Sequence, residues 1–134
     1  MEEALHAMAD TLGTSGAGAS ADTVYEALHA REQMHSTALG EGVAAPHATI
    51  EGVTDPVMLI ATGAAPIPFG PEDADPVRLF FVLLSPPSMT GQHIRMLARI
   101  ARLVRRPGLV DELVGAATAD ELLDRLAAAE PQLS

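Results

Sequence analysis

One histidine of this chain lies in a rigid segment of small residues and is a candidate for a chemical role. His47 follows Pro46 in the stretch GEGVAAPHAT, residues 40–49. Proline fixes its own φ angle and restrains the residue before it, while Gly40 and Gly42 let a bulky group approach the backbone. The arrangement suits an imidazole nitrogen that accepts a group from a large partner and passes it on. From this segment alone, a turn histidine with a locally satisfied ring is the commoner interpretation.

A second histidine falls within a segment that predicts a helix over 88–106. At about 3.6 residues per turn, His93 shares a face with the apolar residues Leu97, Ile100, Ala101 and Val104. The ring should therefore point toward the body of the protein near a helix N-terminus, which disfavours imidazolium and favours a bound anion. A core histidine bonded to a carbonyl fits the same pattern.

Four arginines of the same predicted helix fall on the face opposite His93. They are Arg95, Arg99, Arg102 and Arg106. A charged helical face is typical of a solvated surface, and a rim contact with an acidic partner is the alternative. These arginines are not assigned to the histidine site.

The composition excludes several classes of function. The 134 residues, 48% of them hydrophobic, predict a single packed domain over 1–134. A net charge of −10, without lysine, argues against nucleic acid and anionic membrane surfaces as partners. The lack of cysteine excludes disulfides and thiolate chemistry and fits a cytoplasmic protein. No apolar run reaches the roughly 18 residues that a membrane-spanning helix needs, so direct membrane insertion is not expected.

The remaining pattern predicts an α/β domain. Besides 88–106, helices are expected over 2–13, about 21–34, 109–116 and 118–129. Ser20 should cap the second helix of the chain, and Thr118 with Glu121 should form a capping box for the last. Apolar runs at 56–63 and 77–85 predict buried strands, separated by a turn-rich stretch with a short edge strand. Strands interleaved with helices favour a small mixed β-sheet flanked by helices on both faces.

The segment HAREQMHSTALGEGVAAPHA, residues 29–48, carries an Arg-Glu pair, a Ser-Thr, a Gly-x-Gly, a small apolar run and Pro-His. In this order it resembles the type-2 enzyme IIA domain of the bacterial sugar phosphotransferase system, in its fructose, mannitol and nitrogen-regulatory branch. The resemblance continues through APIPFG, DPVRLFFVLLSPP (75–87) and QHIRMLARIARLV (92–104). It covers residue 21 to the C-terminus.

The resemblance implies a phosphoryl relay. His47 would accept a phosphoryl group from the histidine phosphocarrier protein and pass it to a cysteine of an enzyme IIB domain, in fructose-like sugar uptake. Alternatively, the domain would act on a regulatory target protein in nitrogen-type regulation. His93 and Arg31 would support the transfer, and Thr37 and Gly42 would contact the substrate. No cofactor or metal is implied.

Two departures from the family pattern carry expectations of their own. The family usually has a short strand ahead of its first helix, and this sequence begins almost inside that helix. If the strand is absent, one sheet edge is expected to be exposed or shared with another chain in a homodimer. The turn EDAD, residues 72–75, replaces a tighter glycine turn.

Two other interpretations remain open. A non-catalytic sensor of the same fold would bind partners with or without phosphate on His47. A metal site built from His29, His35, His47 and His93 is the other, although the chain has no HExxH motif of the kind that usually completes such sites.

Overall fold

The computed structural model of the chain describes residues 2–69 and 76–129. The helices are α1 (Glu2–Gly13), α2 (Ala21–Met34), α3 (Thr90–Val104), α4 (Leu109–Val114) and α5 (Ala119–Ala129), with a 3-10 turn at Pro87–Met89 before α3. The strands are β1 (Ala38–Gly40), β2 (Val43–Ala44), β3 (His47–Thr49), β4 (Val57–Ile67) and β5 (Val77–Ser85). The EDAD turn expected at 72–75 lies outside the described residues.

Strand β5 forms the centre of a mixed sheet. Strands β2 and β3 lie end to end along one side of β5, both parallel to it, and β4 pairs antiparallel with its other side. Strand β1 pairs antiparallel with β2. Between β2 and β3, Pro46 has no N–H to donate, and Ala45 donates its N–H to the carbonyl of Thr37 at 2.9 Å. The chain therefore leaves the ladder at Ala45 and rejoins it through the Pro46 carbonyl, which accepts from the N–H of Leu83 at 3.0 Å.

Helices cover both faces of this sheet, as the sequence predicts. Alternate residues of a strand point to opposite faces, so Phe80, Val82 and Leu84 join a core with α1 and α2. Leu79 and Phe81 join a second core with α3, α4 and α5. The α/β class and the helices on both faces are confirmed.

The helix caps follow the predicted chemistry. Ser20 Oγ accepts a hydrogen bond from the N–H of Thr23 at 3.2 Å, and Thr118 Oγ1 accepts one from the N–H of Glu121 at 3.1 Å. The Glu121 carboxylate accepts from the N–H of Ala117 at 3.0 Å, one residue before the Thr118 N–H that it would bind in the predicted capping box. Each cap satisfies a backbone donor that the first helical turn leaves unpaired.

Several boundaries differ from the sequence-based expectation. Strand β4 continues to Ile67 with a register irregularity after Thr62, and so takes in part of the stretch expected to be turn-rich. Helix α3 ends at Val104 and α4 at Val114, two residues earlier than expected. Strands β1, β2 and β3 have at most three residues each, too few for an alternating pattern to be recognised.

The outer side of β4 has no strand partner within the described residues. An unpaired strand side offers backbone donors and acceptors to another chain. The expectation of an exposed or shared sheet edge, and with it a homodimer, stays a prediction.

Candidate functional site

His47 begins β3, and its ring is fixed by the backbone that precedes it. The side chain is half-buried, and Nδ1 lies 2.7 Å from the carbonyl oxygen of Ala45. A carbonyl oxygen can only accept a hydrogen bond, so in the neutral ring Nδ1 carries the hydrogen and donates it. Nε2 therefore keeps its lone pair.

This lone pair is accessible. Nε2 of His47 has no hydrogen-bond partner among the described residues, and none of their side-chain nitrogen or oxygen atoms is both buried and without a partner. Nε2 must therefore contact solvent. An unprotonated, exposed ring nitrogen is the form of histidine that acts as a nucleophile.

His47 lines an open cleft of about 180 Å³. The other lining residues are Arg31, Ser36, Thr37, Ala38, Leu39, Ala45 and Leu97. Arg31 comes from the last turn of α2, and its Nη1 donates to the carbonyl of His35 at 2.7 Å. That hydrogen bond anchors one nitrogen of the guanidinium and leaves its other donors without a partner in the described part of the chain. The cleft thus brings a nucleophilic nitrogen and a cation together.

A buried carboxylate holds one wall of this cleft. Glu32, whose exposure is 8%, accepts hydrogen bonds from the Thr37 N–H at 3.1 Å and from the Thr37 hydroxyl. The Thr37 carbonyl in turn accepts from the N–H of Ala45, whose own carbonyl orients His47. A continuous series of hydrogen bonds therefore links α2 to the ring of His47.

The structure changes the role expected for Thr37. The residue lines the cleft, but its N–H and its hydroxyl hydrogen are both donated to Glu32, so neither is available to donate to a phosphate in this conformation. Thr37 positions the segment before His47 instead. Glu32 is not among the site residues predicted from the sequence, where its only signal is the Arg-Glu pair at the end of α2.

His93 lies beside His47, as the sequence predicts. It belongs to the first turn of α3, its exposure is 6%, and its ring centroid is 5.3 Å from that of His47. Its Nδ1 lies 2.7 Å from the hydroxyl oxygen of Ser85, the last residue of β5. Nε2 of His93 has no partner among the described residues and, by the same reasoning as for His47, contacts solvent.

Burial lowers the pKa of both rings below the ordinary value of 6.5. For His47 the hydrogen bond to Ala45 opposes this effect, the charge of Arg31 lowers the pKa further, and the charge of Glu32 raises it. For His93 the second cause is the neighbouring His47, which also lowers the pKa. Both rings are therefore neutral at pH 7, and each carries a single hydrogen.

Gly42 does not belong to this site. It directly precedes β2, which pairs with the part of β5 around Leu79, whereas His47 pairs with Leu83. At about 3.3 Å per residue, these positions on β5 are roughly 13 Å apart. Gly42 has a φ of +78°, and a Cβ there would lie 3.4 Å from Arg78 Nε and from the carbonyl of Pro76. The positive φ of this turn is what favours glycine, and the assignment of Gly42 to substrate binding stays a prediction that this placement does not support.

The arginine face of α3 is separate from the cleft. Arg95, Arg99 and Arg102 are exposed and line a different groove, of about 470 Å³. Arg106 donates to the carbonyl of Ala129 at 3.2 Å. The placement agrees with the sequence-based assignment of these residues to a surface away from His93.

No group of three or more histidine or acidic side chains in residues 2–69 and 76–129 could hold a metal ion. His29 lies 3.7 Å from Glu2 and stacks on Tyr25, while His35 is exposed. The proposed four-histidine metal site therefore gains no support. None of the described helices has the length and apolar character needed to cross a membrane.

The chain matches the profile of a protein family over residues 1–129. The family is described as phosphoenolpyruvate-dependent sugar phosphotransferase system, EIIA 2. The chain is 39% identical to a nitrogen regulatory protein of Pseudomonas aeruginosa over 102 residues, which are 76% of this chain and 66% of that protein. The match thus spans just under two thirds of the length of that relative.

Solved structures resemble the whole described fold. Nitrogen regulatory protein IIA-Ntr from Neisseria meningitidis superposes with a TM-score of 0.87 at 30% identity, covering 93% of this chain and 85% of that one. A complex of enzyme IIA mannitol and phosphorylated enzyme IIB mannitol from Escherichia coli gives a TM-score of 0.79 at 25% identity, covering 95% and 87%.

Proposed function

The chain belongs to the EIIA 2 family of the phosphoenolpyruvate-dependent sugar phosphotransferase system, and from this premise we propose that it is a phosphocarrier whose acceptor atom is Nε2 of His47. One observation carries the proposal. The hydrogen bond from Nδ1 to Ala45 leaves an unprotonated, solvent-exposed Nε2 in a cleft that also holds Arg31. The phosphoryl donor is the histidine phosphocarrier protein.

In the proposed transfer, the Nε2 lone pair of His47 attacks the phosphorus of a phosphorylated histidine on the donor. The new N–P bond forms as the N–P bond to the donor breaks. No proton leaves His47, because Nε2 carries none, and the hydrogen on Nδ1 stays there, donated to the Ala45 carbonyl. Phosphoryl transfer depends mainly on positioning and on stabilising the charge of the equatorial oxygens, and Arg31 and His93 are the groups that do so.

The second transfer needs an acceptor on another protein. This chain has no cysteine, so a thiolate acceptor must come from a IIB domain. The similarity to mannitol IIA in its complex with phosphorylated IIB supports a partner of this kind. We place the relay in the cytoplasm, where a reduced cysteine persists.

A regulatory role is the second candidate. The similarity to nitrogen regulatory proteins of P. aeruginosa and N. meningitidis favours it over a sugar-specific role. In this role the phosphorylation state of His47 would change the affinity for a target protein. A sensor that binds its target without ever accepting the phosphoryl group is the non-catalytic variant of the same idea.

Mass spectrometry after incubation with phosphoenolpyruvate and the upstream carriers tests the phosphocarrier proposal. The expected result is a mass gain of one phosphoryl group, lost in His47→Ala and kept in His35→Ala, which removes an exposed histidine outside the cleft. No gain with any donor would overturn the relay and favour the sensor. A gain that persists in His47→Ala would place the acceptor on another residue.

A further inference from the structure

Ser85 is a buried polar residue at the end of an otherwise apolar strand. It is 0% exposed, and its hydroxyl has one hydrogen-bond partner among the described residues, Nδ1 of His93 at 2.7 Å. This distance is typical of a hydroxyl hydrogen bond. The neighbouring positions of β5 are filled by leucine, valine and phenylalanine, so the hydroxyl is an exception within the core.

The direction of this hydrogen bond follows from burial. If His93 donated from Nδ1, the Ser85 hydroxyl hydrogen would be left buried without an acceptor, at a cost. If Ser85 donates to Nδ1, neither group is left unsatisfied. The neutral ring of His93 then carries its hydrogen on Nε2, the atom that contacts solvent beside His47.

We propose that Ser85 is a positioning residue that sets the tautomer of His93, so that a neutral His93 presents an N–H to the phosphoryl group carried by His47. The inference rests on the proposed function for the identity of the anion. The assignment of the tautomer depends only on the contacts of Ser85.

The two rings would then carry opposite tautomers. Nδ1 of His47 meets a carbonyl, which accepts, and Nδ1 of His93 meets a hydroxyl, which donates. One ring offers a lone pair at Nε2 and the other offers a hydrogen at Nε2. These are the complementary groups that a nucleophile and an adjacent oxyanion donor need, and the two ring centroids are 5.3 Å apart.

Nitrogen-15 NMR of the histidine rings in the unphosphorylated full-length chain tests the assignment directly, at a pH above the pKa of both rings. We expect the hydrogen of His93 on Nε2 in the wild type, a mixture of both tautomers in Ser85→Ala, and recovery of the Nε2–H tautomer in Ser85→Thr, which restores a hydroxyl. His47 serves as the internal reference and should keep its hydrogen on Nδ1 throughout. Ser88→Ala removes an exposed serine nearby and should leave both rings unchanged.

The transfer itself supplies a second measurement. The rate of phosphorylation of His47 is expected to fall about two- to tenfold in Ser85→Ala, the loss that one ordinary hydrogen bond corresponds to, and to be unchanged in Ser88→Ala. Wild-type His93 with its hydrogen on Nδ1, or a tautomer that does not respond to Ser85→Ala, would overturn the assignment. A shifted tautomer with an unchanged rate would overturn the positioning role. Failure of every donor to phosphorylate wild-type His47 would instead overturn the proposed function, with the tautomer result still standing.

Discussion

Replacing Glu32 by alanine is expected to destabilise the protein by several times more than the same change at an exposed glutamate of α2. Glu32 and Thr37 are 8% and 5% exposed, and the carboxylate accepts from both the N–H and the hydroxyl of Thr37. A buried donor left unsatisfied costs about 1–3 kcal/mol. Two such donors, less the benefit of no longer burying a carboxylate, give a net loss of about 2–4 kcal/mol in the free energy of unfolding.

Thermal and urea unfolding followed by circular dichroism measure this loss. For a domain of this size, each kcal/mol shifts Tm by about 3 °C, so Glu32→Ala should lower Tm by roughly 6–12 °C. Glu32→Gln keeps one oxygen acceptor and loses only the charge assistance, about 1 kcal/mol. Glu26→Ala, at an exposed position of the same helix, is the matched control and should change stability by less than about 0.5 kcal/mol.

Amide hydrogen exchange supplies a local readout. The N–H of Ala45 is bonded to the carbonyl of Thr37, and Thr37 is held by Glu32, so Glu32→Ala should lower the protection of the Ala45 amide more than that of amides in the centre of β5. A Tm for Glu32→Ala equal to that of Glu26→Ala, or an Ala45 amide that stays protected, would refute the idea that this carboxylate supports the segment before His47.

Three further changes test separate parts of the site. The rate of phosphorylation of His47 should be constant above pH 6.5 and fall only below it, because burial lowers the pKa of both His47 and His93 from 6.5. The same pKa shifts should reduce the free energy of unfolding as the pH falls from 6.5 through the lowered pKa, and NMR titration midpoints above 6.5 would contradict both expectations. Arg31→Ala should slow the phosphorylation of His47 about tenfold or more, because it removes a cation from the cleft, and an unchanged rate would exclude Arg31 from the transfer. The free energy of unfolding in urea should fall by less than about 1 kcal/mol, because the side chain is only half-buried. Gly40→Ala and Gly42→Ala both place alanine at a positive φ, at a cost of about 1 kcal/mol. A Cβ at position 42 would make only ordinary van der Waals contacts, so Gly42→Ala should lose stability mainly through its φ, as Gly40→Ala does, and should still be phosphorylated at the wild-type rate while folded; a slower transfer in folded Gly42→Ala would connect this residue to the site.

The helical part of the fold could be predicted because its signals are local. Ser20 and Thr118 begin helices through hydrogen bonds to residues three positions later, and such contacts are encoded within a single turn. The uninterrupted apolar run at 79–84 likewise indicates a strand buried on both faces. The pairing of β2 and β3 along β5 depends on residues far apart in the chain, and their length of two or three residues carries no periodicity.

The two histidines are predicted from the sequence, whereas Glu32 and Ser85 are not. His47 and His93 stand out by their neighbours and by the helical face that His93 occupies. Glu32 is one of 18 acidic residues, and nothing in its spacing shows that its carboxylate turns inward to Thr37. Ser85 did leave a signal, since a polar residue at the carboxyl end of a buried strand often faces a functional crevice in α/β folds.

The proposed relay requires two neighbouring residues of the same type to do opposite things, and the fold makes them differ through what each Nδ1 meets. If both rings were protonated, no nucleophile would remain, and burial lowers the pKa of both. If both neutral rings carried the hydrogen on Nδ1, neither could donate to an oxyanion from Nε2. The carbonyl of Ala45 permits one tautomer of His47, because it cannot donate. The hydroxyl of Ser85 permits either tautomer of His93, and only the burial of that hydroxyl selects one. A substitution that lets water reach Ser85 should therefore give His93 a mixture of both tautomers, while His47 should keep its hydrogen on Nδ1.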